Sequence, residues 1–138
     1  MHGSCASRDG QAVLLIGLPG AGKSDLVLRL LGRGFDLVAD DQVDISDGNV
    51  SAPIALAGLL EVRGLGIVRL PYVPTAQLAL VADLTAMAER LPSPARHPTL
   101  NVPVVHLNAA AASAPDRIIL ALDCALGRVG QVAGAFRT

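Results

Sequence analysis

Aromatic side chains are nearly absent from this sequence, which has one tyrosine, two phenylalanines and no tryptophan in 138 residues. With 51% hydrophobic residues, a core must be filled by Leu, Val, Ile and Ala, and the length suits one domain over 1–138. Long apolar runs are also missing. Mean hydropathy is positive, yet charges interrupt every candidate for the ~18 apolar residues of a span. Asp83 does so in "LALVADL" (78–84). A membrane protein is therefore not expected. Cys5 and Cys124 form neither a metal-binding spacing nor a disulfide framework. The polar N-terminus with Asp9 is no secretory signal, so the expected compartment is the reducing cytoplasm. A net charge of −1 provides no general attraction for nucleic acid. Lysine is the scarcest cation, because Lys23 stands alone against ten arginines.

The elements follow from periodicity and punctuation. "AVLLIG" (12–17) reads as a buried strand, and "KSDLVLRLLGRG" (23–34) as a helix with Leu26, Leu30 and Leu31 on one side. "FDLVADD" (35–41) reads as the next strand, and Asp-Gly within 43–53 as a hairpin. "LLEVRGLGIVRL" (59–70) reads as two short strands broken by glycine, and "AQLALVADL" (76–84) as another strand. Prolines make 90–98 a loop, and Pro103 makes 101–107 an edge strand. A last helix spans 113–127, with Ser113 as N-cap, Asp116 in its first turn and Gly127 near its stop. "SCASRDG" (4–10) is polar and unlike a buried strand. His97 and His106 read as satisfied loop or edge histidines, and Cys124 as a packing residue on the core side of the last helix.

One stretch carries chemistry outright. Gly17, Leu18, Pro19, Gly20, Ala21, Gly22, Lys23 and Ser24 fit G-x-x-x-x-G-K-[ST] between a predicted strand and a predicted helix. Glycines let backbone N–H groups curl toward an anion, and the helix N-terminus adds its positive end. Lys23 is a mobile ammonium for the β/γ-phosphates of a nucleotide, and Ser24 offers a hydroxyl to Mg²⁺. A compact ammonium fits a tightly wrapped loop where a planar guanidinium would not, which accounts for the one lysine.

Carboxylates are the second requirement for phosphoryl transfer. Asp40 and Asp41 end an apolar strand, where a carboxylate can hold Mg²⁺, orient a nucleophile, pair with an arginine or cap a turn. Being adjacent, they point to opposite sides and need not share a role. Glu61, flanked by apolar residues, must be metal-bound, solvated or paired, with Arg63 the nearest partner.

"GLPGAGKSDLVLRLLGRGFDLVADD" (17–41) resembles the P-loop, helix and Asp-Asp strand of HPr kinase/phosphorylase, and "LLEVRGLGI" (59–67) resembles that family's signature segment. His2-Gly3 falls where the family has a His-Gly on the strand preceding the P-loop strand, so the likeness spans about residues 2 to 85. The resemblance implies an α/β, P-loop kinase-like fold. In it the P-loop lies between the first strand and a helix, followed by a strand-rich sheet and a C-terminal helix. It implies Mg-ATP-dependent phosphorylation of a serine on the phosphocarrier protein HPr or an HPr-like carrier, by a hexamer. Lys23 would bind phosphate, and Ser24 and Glu61 would serve Mg²⁺. Asp41 would take the proton from the target serine, and in reverse would return it as inorganic phosphate attacks. Asp40 would assist with metal or positioning, and His2 would sit beside Asp41 and tune it.

The sequence departs from the family pattern in three respects. It would be a minimal kinase domain without the separate N-terminal domain, resembling the short alphaproteobacterial forms. The family's catalytic arginine falls at Asn108, and neither Arg96 nor Arg117 aligns to replace it. The segment associated with phosphorylase activity is not recognisable, so the kinase direction is expected and the reverse phosphorolysis is left open. A nucleotide-sensing module without catalysis is one alternative, favoured by Asn108 and disfavoured by Asp40, Asp41 and Glu61. A small-molecule P-loop kinase is another, although the run of strands after the helix disfavours it. A GTPase would require an Asn-Lys-x-Asp, which one lysine cannot supply twice.

Overall fold

A computed structural model of the chain describes residues 1–85 and 87–137. Strands β1 (Ser4–Arg8) and β2 (Gln11–Ile16) form a hairpin, and helix α1 (Lys23–Leu31) and strand β3 (Asp36–Ala39) follow. Next come β4 (Asp44–Ser46), β5 (Asn49–Ser51), β6 (Leu59–Val62), β7 (Gly66–Arg69), β8 (Ala76–Asp83), β9 (Val104–His106) and helix α2 (Ala114–Ala125). Both tight hairpins turn at Asp-Gly. Asp9 and Gly10 have φ 52 and 78°, and Asp47 and Gly48 have φ 51 and 78°. Positive φ at both central residues gives the turn whose twist matches paired strands.

The main sheet runs β3-β1-β2-β8-β5-β4, with β9 joined to β8. Strand β2 is parallel to β8, and β8 to β9, whereas β1 is antiparallel to both β2 and β3. The P-loop therefore leaves the second strand and not the first. The stretch "SCASRDG", read as too polar for a buried strand, forms β1 between the P-loop strand and the Asp-Asp strand. Its Ser4, Cys5, Ala6 and Ser7 are buried. The side chains are small enough for a crowded sheet interior, and a buried hydroxyl is tolerated once it has a hydrogen-bond partner.

Both faces of the sheet are covered. On one, Leu26, Val27 and Leu30 of α1, Ile118, Ala121 and Leu122 of α2 and Leu60 of β6 pack on Val13, Leu15 and Leu80. On the other, Cys5, Leu14, Val38, Leu78 and Val81 pack with Val43, Val50 and the 100–104 segment, where the sheet curls over itself. A bulge between Leu78 and Leu80 puts these two leucines on opposite faces, which plain alternation in "AQLALVADL" does not anticipate.

Two smaller expectations change. Ser113 is the N-cap residue of α2 but makes no side-chain cap, while Pro115 and Asp116 occupy the first turn. Cys124 is only half-buried, because α2 turns Ile118, Ala121 and Leu122 inward, and Cys5 is the enclosed cysteine. Among the described residues, no helix is long and apolar enough to cross a membrane.

Candidate active site

The P-loop joins β2 to α1, so its shape depends on both. Gly22 precedes the first helical residue with φ 95°, a left-handed conformation that glycine adopts without strain. A Cβ there would also lie 3.3 Å from Ala109 Cβ, since the segment after β9 packs against the loop. Lys23 Nζ donates to the Gly17 and Leu18 carbonyls at 2.8 and 3.1 Å, folding the ammonium back over the loop. Arg29 pairs with Asp25 at 3.1 Å and donates to the Ala109 and Ala111 carbonyls, tying α1 to the post-β9 segment.

The two aspartates stand in opposite settings. Asp40 is 6% exposed and is surrounded by donors from three elements. Ser4 Oγ donates to its Oδ1 at 2.6 Å, and Ser24 Oγ reaches Oδ1 at 2.7 Å and Oδ2 at 3.0 Å. The Glu61 backbone N–H donates to Oδ2 at 3.2 Å. Asp40 thus pairs with hydroxyls and an amide, and the arginine partner left open by the sequence is not among its described contacts. Asp41 is exposed, with φ 70°, and its carbonyl accepts from Gly3 N–H at 3.2 Å. Gly3 is needed at that crossing, because a Cβ would sit 2.9 Å from the Leu15 carbonyl oxygen.

A cavity of about 540 Å³ lies along this end of the sheet. Lys23, Ser24, Asp41, Glu61, Arg63 and Ser4 are among the residues lining it. Glu61 is exposed and solvated, and no ion pair joins it to Arg63 among the described residues. His2 forms a backbone bridge with Gln42, and its Nδ1 is 3.0 Å from Gln42 Nε2, one residue beyond Asp41. His97 is satisfied by the Thr99 and Leu100 N–H groups. His106 lies in β9, with Nδ1 3.8 Å from Asp83. Asn108 is exposed and accepts from Ala110 N–H.

The donor set suits a hard divalent cation. Ser24 commits its one proton to Asp40, which leaves its lone pairs for a metal, and Glu61 and Asp41 add carboxylate oxygens to the same cavity. Among the described residues, no three His, Cys, Asp or Glu side chains cluster as a complete metal cage. Magnesium characteristically takes one or two protein ligands and completes its shell with water and phosphate oxygens. Sequence reasoning did not place Ser4 at the cavity, and it offered Arg63 only as a partner of Glu61; pairing of β1 with its neighbours and the β6–β7 hairpin bring both to the lining.

The fold and its cavity define a P-loop kinase-like α/β protein. The chain belongs to the family described as the HPr serine kinase C-terminal domain, whose model matches residues 1–85. It is 45% identical over 75 residues to HPr kinase/phosphorylase of Clostridium tetani, covering 51% of this chain and 25% of that protein. It is 38% identical over 96 residues to HPr kinase/phosphorylase of Geobacillus thermodenitrificans, covering 61% and 31%. The chain thus spans 25 to 31% of the length of these curated relatives. Among solved structures it resembles the HPr(Ser) kinase/phosphatase from Coxiella burnetii, with a TM-score of 0.75 and 24% identity over 94% of this chain and 98% of that one. That likeness carries the fold.

Proposed function

We propose that the chain is a Mg-ATP-dependent protein serine kinase acting on HPr or an HPr-like phosphocarrier. The supporting observation is that Asp41, an exposed carboxylate, lines the same cavity as the P-loop residues Lys23 and Ser24. A serine hydroxyl is a weak nucleophile, and a carboxylate within hydrogen-bond reach accepts its proton as the phosphoryl group transfers. In this reading Gly17 to Ser24 cradle the phosphates and Lys23 leaves the Gly17 and Leu18 carbonyls to meet them. Ser24 and Glu61 hold Mg²⁺, which when bound neutralises charge on the phosphate oxygens. Asp40 positions Ser24, and His2 acts on the Asp41 segment through Gln42. Hexameric assembly and a cytoplasmic location belong to the same proposal, and sedimentation checks the first.

The test is transfer from γ-labelled ATP to purified HPr with Mg²⁺. We expect label on a serine, reduced by about 10²-fold or more in Asp41→Asn, the scale of a lost general base. Tight ATP binding without transfer would reject the kinase reading for that carrier. It would favour the nucleotide sensor, the alternative to which Asn108 points.

A further inference from the structure

We propose that Ser4 is a positioning residue for the magnesium site, acting through Asp40 on Ser24. The inference rests on the kinase reading only in taking the cation to be magnesium bound with a nucleotide.

Ser4 is 1% exposed and opens β1, the strand between the P-loop strand and the Asp-Asp strand. Its hydroxyl donates to Asp40 Oδ1 at 2.6 Å, the same oxygen that Ser24 Oγ meets at 2.7 Å. The other oxygen takes Ser24 at 3.0 Å and the Glu61 N–H at 3.2 Å. No charged side chain pairs with Asp40 among the described residues, so its contacts come from neutral donors on β1, α1 and β6. Hydrogen bonds to a buried carboxylate are charge-assisted and short, and each restricts its rotation.

The consequence falls on Ser24. A hydroxyl has one proton and two lone pairs. While Asp40 holds that proton, Ser24 presents only lone pairs to the cavity, which is the polarity a cation requires. Removing the Ser4 hydroxyl takes one of two donors from Oδ1 and lets the carboxylate turn toward Ser24 or away from it. Ser24 then no longer has a fixed partner for its proton. Gly3, the residue before β1, donates to the Asp41 carbonyl, so two consecutive residues hold Asp41 through the main chain and Asp40 through a side chain.

The experiment is calorimetric titration of ATP, once with Mg²⁺ and once with EDTA, on the wild type and on Ser4→Ala, Ser4→Cys and Ser7→Ala. Ser7 is equally buried on the same strand and controls for loss of a buried hydroxyl. Ser4→Ala is expected to cut the affinity gained from Mg²⁺ roughly tenfold, the scale of one hydrogen bond to a charged group. Affinity in EDTA stays unchanged. Ser4→Cys keeps the shape of the side chain at a slightly larger size, lacks a strong donor and shows the same loss, should the alanine variant fold poorly. Ser7→Ala keeps the gain in full. A full Mg²⁺ gain in Ser4→Ala or Ser4→Cys would overturn the role. Equal weakening with and without Mg²⁺ would overturn it as well, because that marks general damage to the fold. A wild type that gains nothing from Mg²⁺ would overturn the kinase reading itself, an outcome separable from the other two.

Discussion

Asp40 and Asp41 are the same amino acid at adjacent positions, and the backbone between them sends one inside and the other to solvent. Asp40 follows β3 into the interior, while Asp41 turns to φ 70° and lies at the cavity. A similar contrast separates the cysteines. Cys5 is fully enclosed, and burial pushes its thiol well above the usual range, whereas Cys124 is half-buried. The thiolate is the reactive form and needs access to its reagent. Ellman's reagent should therefore modify one thiol in the native protein, Cys124, and reach Cys5 only in denaturant. Mapping the labelled peptide checks this, and rapid native labelling of Cys5 would show that β1 opens.

At the scale of elements, β1 is the piece that local reasoning excluded. Its polarity argues against burial until Ser4 meets Asp40, a partner 36 residues away. Sequence patterning sees only neighbours, so it cannot credit a hydroxyl with a distant acceptor. The Asp47-Gly48 hairpin and both helices were legible, because turn chemistry and a 3.6-residue period are local. Arg29 exerts leverage between elements, since its guanidinium holds two carbonyls of the post-β9 segment against α1. Arg29→Ala should destabilise the fold by about 1–3 kcal/mol by leaving part-buried carbonyls without a donor. Arg29→Lys should restore less than half of that, because an ammonium cannot span both acceptors as the planar fork does. Urea unfolding midpoints measure both, and an unchanged midpoint in Arg29→Ala would refute the clamp.

Across the whole molecule, both helices and the β6–β7 hairpin cover one face, and the curled sheet covers the other. The cavity lies where the P-loop, β1, the β3 end and β6 converge, so a ligand there touches elements scattered through the fold and stabilises them together. Mg-ATP at about 100 times its dissociation constant adds ~2.7 kcal/mol. For a chain of this length that is a rise in Tm of about 10 °C. Lys23→Ala should abolish most of the shift without lowering the Tm of the free protein, because Nζ contacts only exposed or part-buried loop carbonyls. A shift of equal size in both proteins would mean that the nucleotide binds elsewhere.

The sequence by itself determined the glycine-rich loop between a strand and a helix, the α/β class, the short strands around glycine and the candidate carboxylates. Each of these depends on residues close along the chain: a glycine-rich loop between a strand and a helix, an Asp-Gly pair, or an apolar run. Only the tertiary structure decided that β1 lies between β2 and β3, that Asp40 is enclosed while Asp41 faces the cavity, and that Ser4 and Arg63 join the site. Those outcomes depend on contacts between distant segments. There the free energy of a buried polar group is set by partners that its own neighbourhood does not contain.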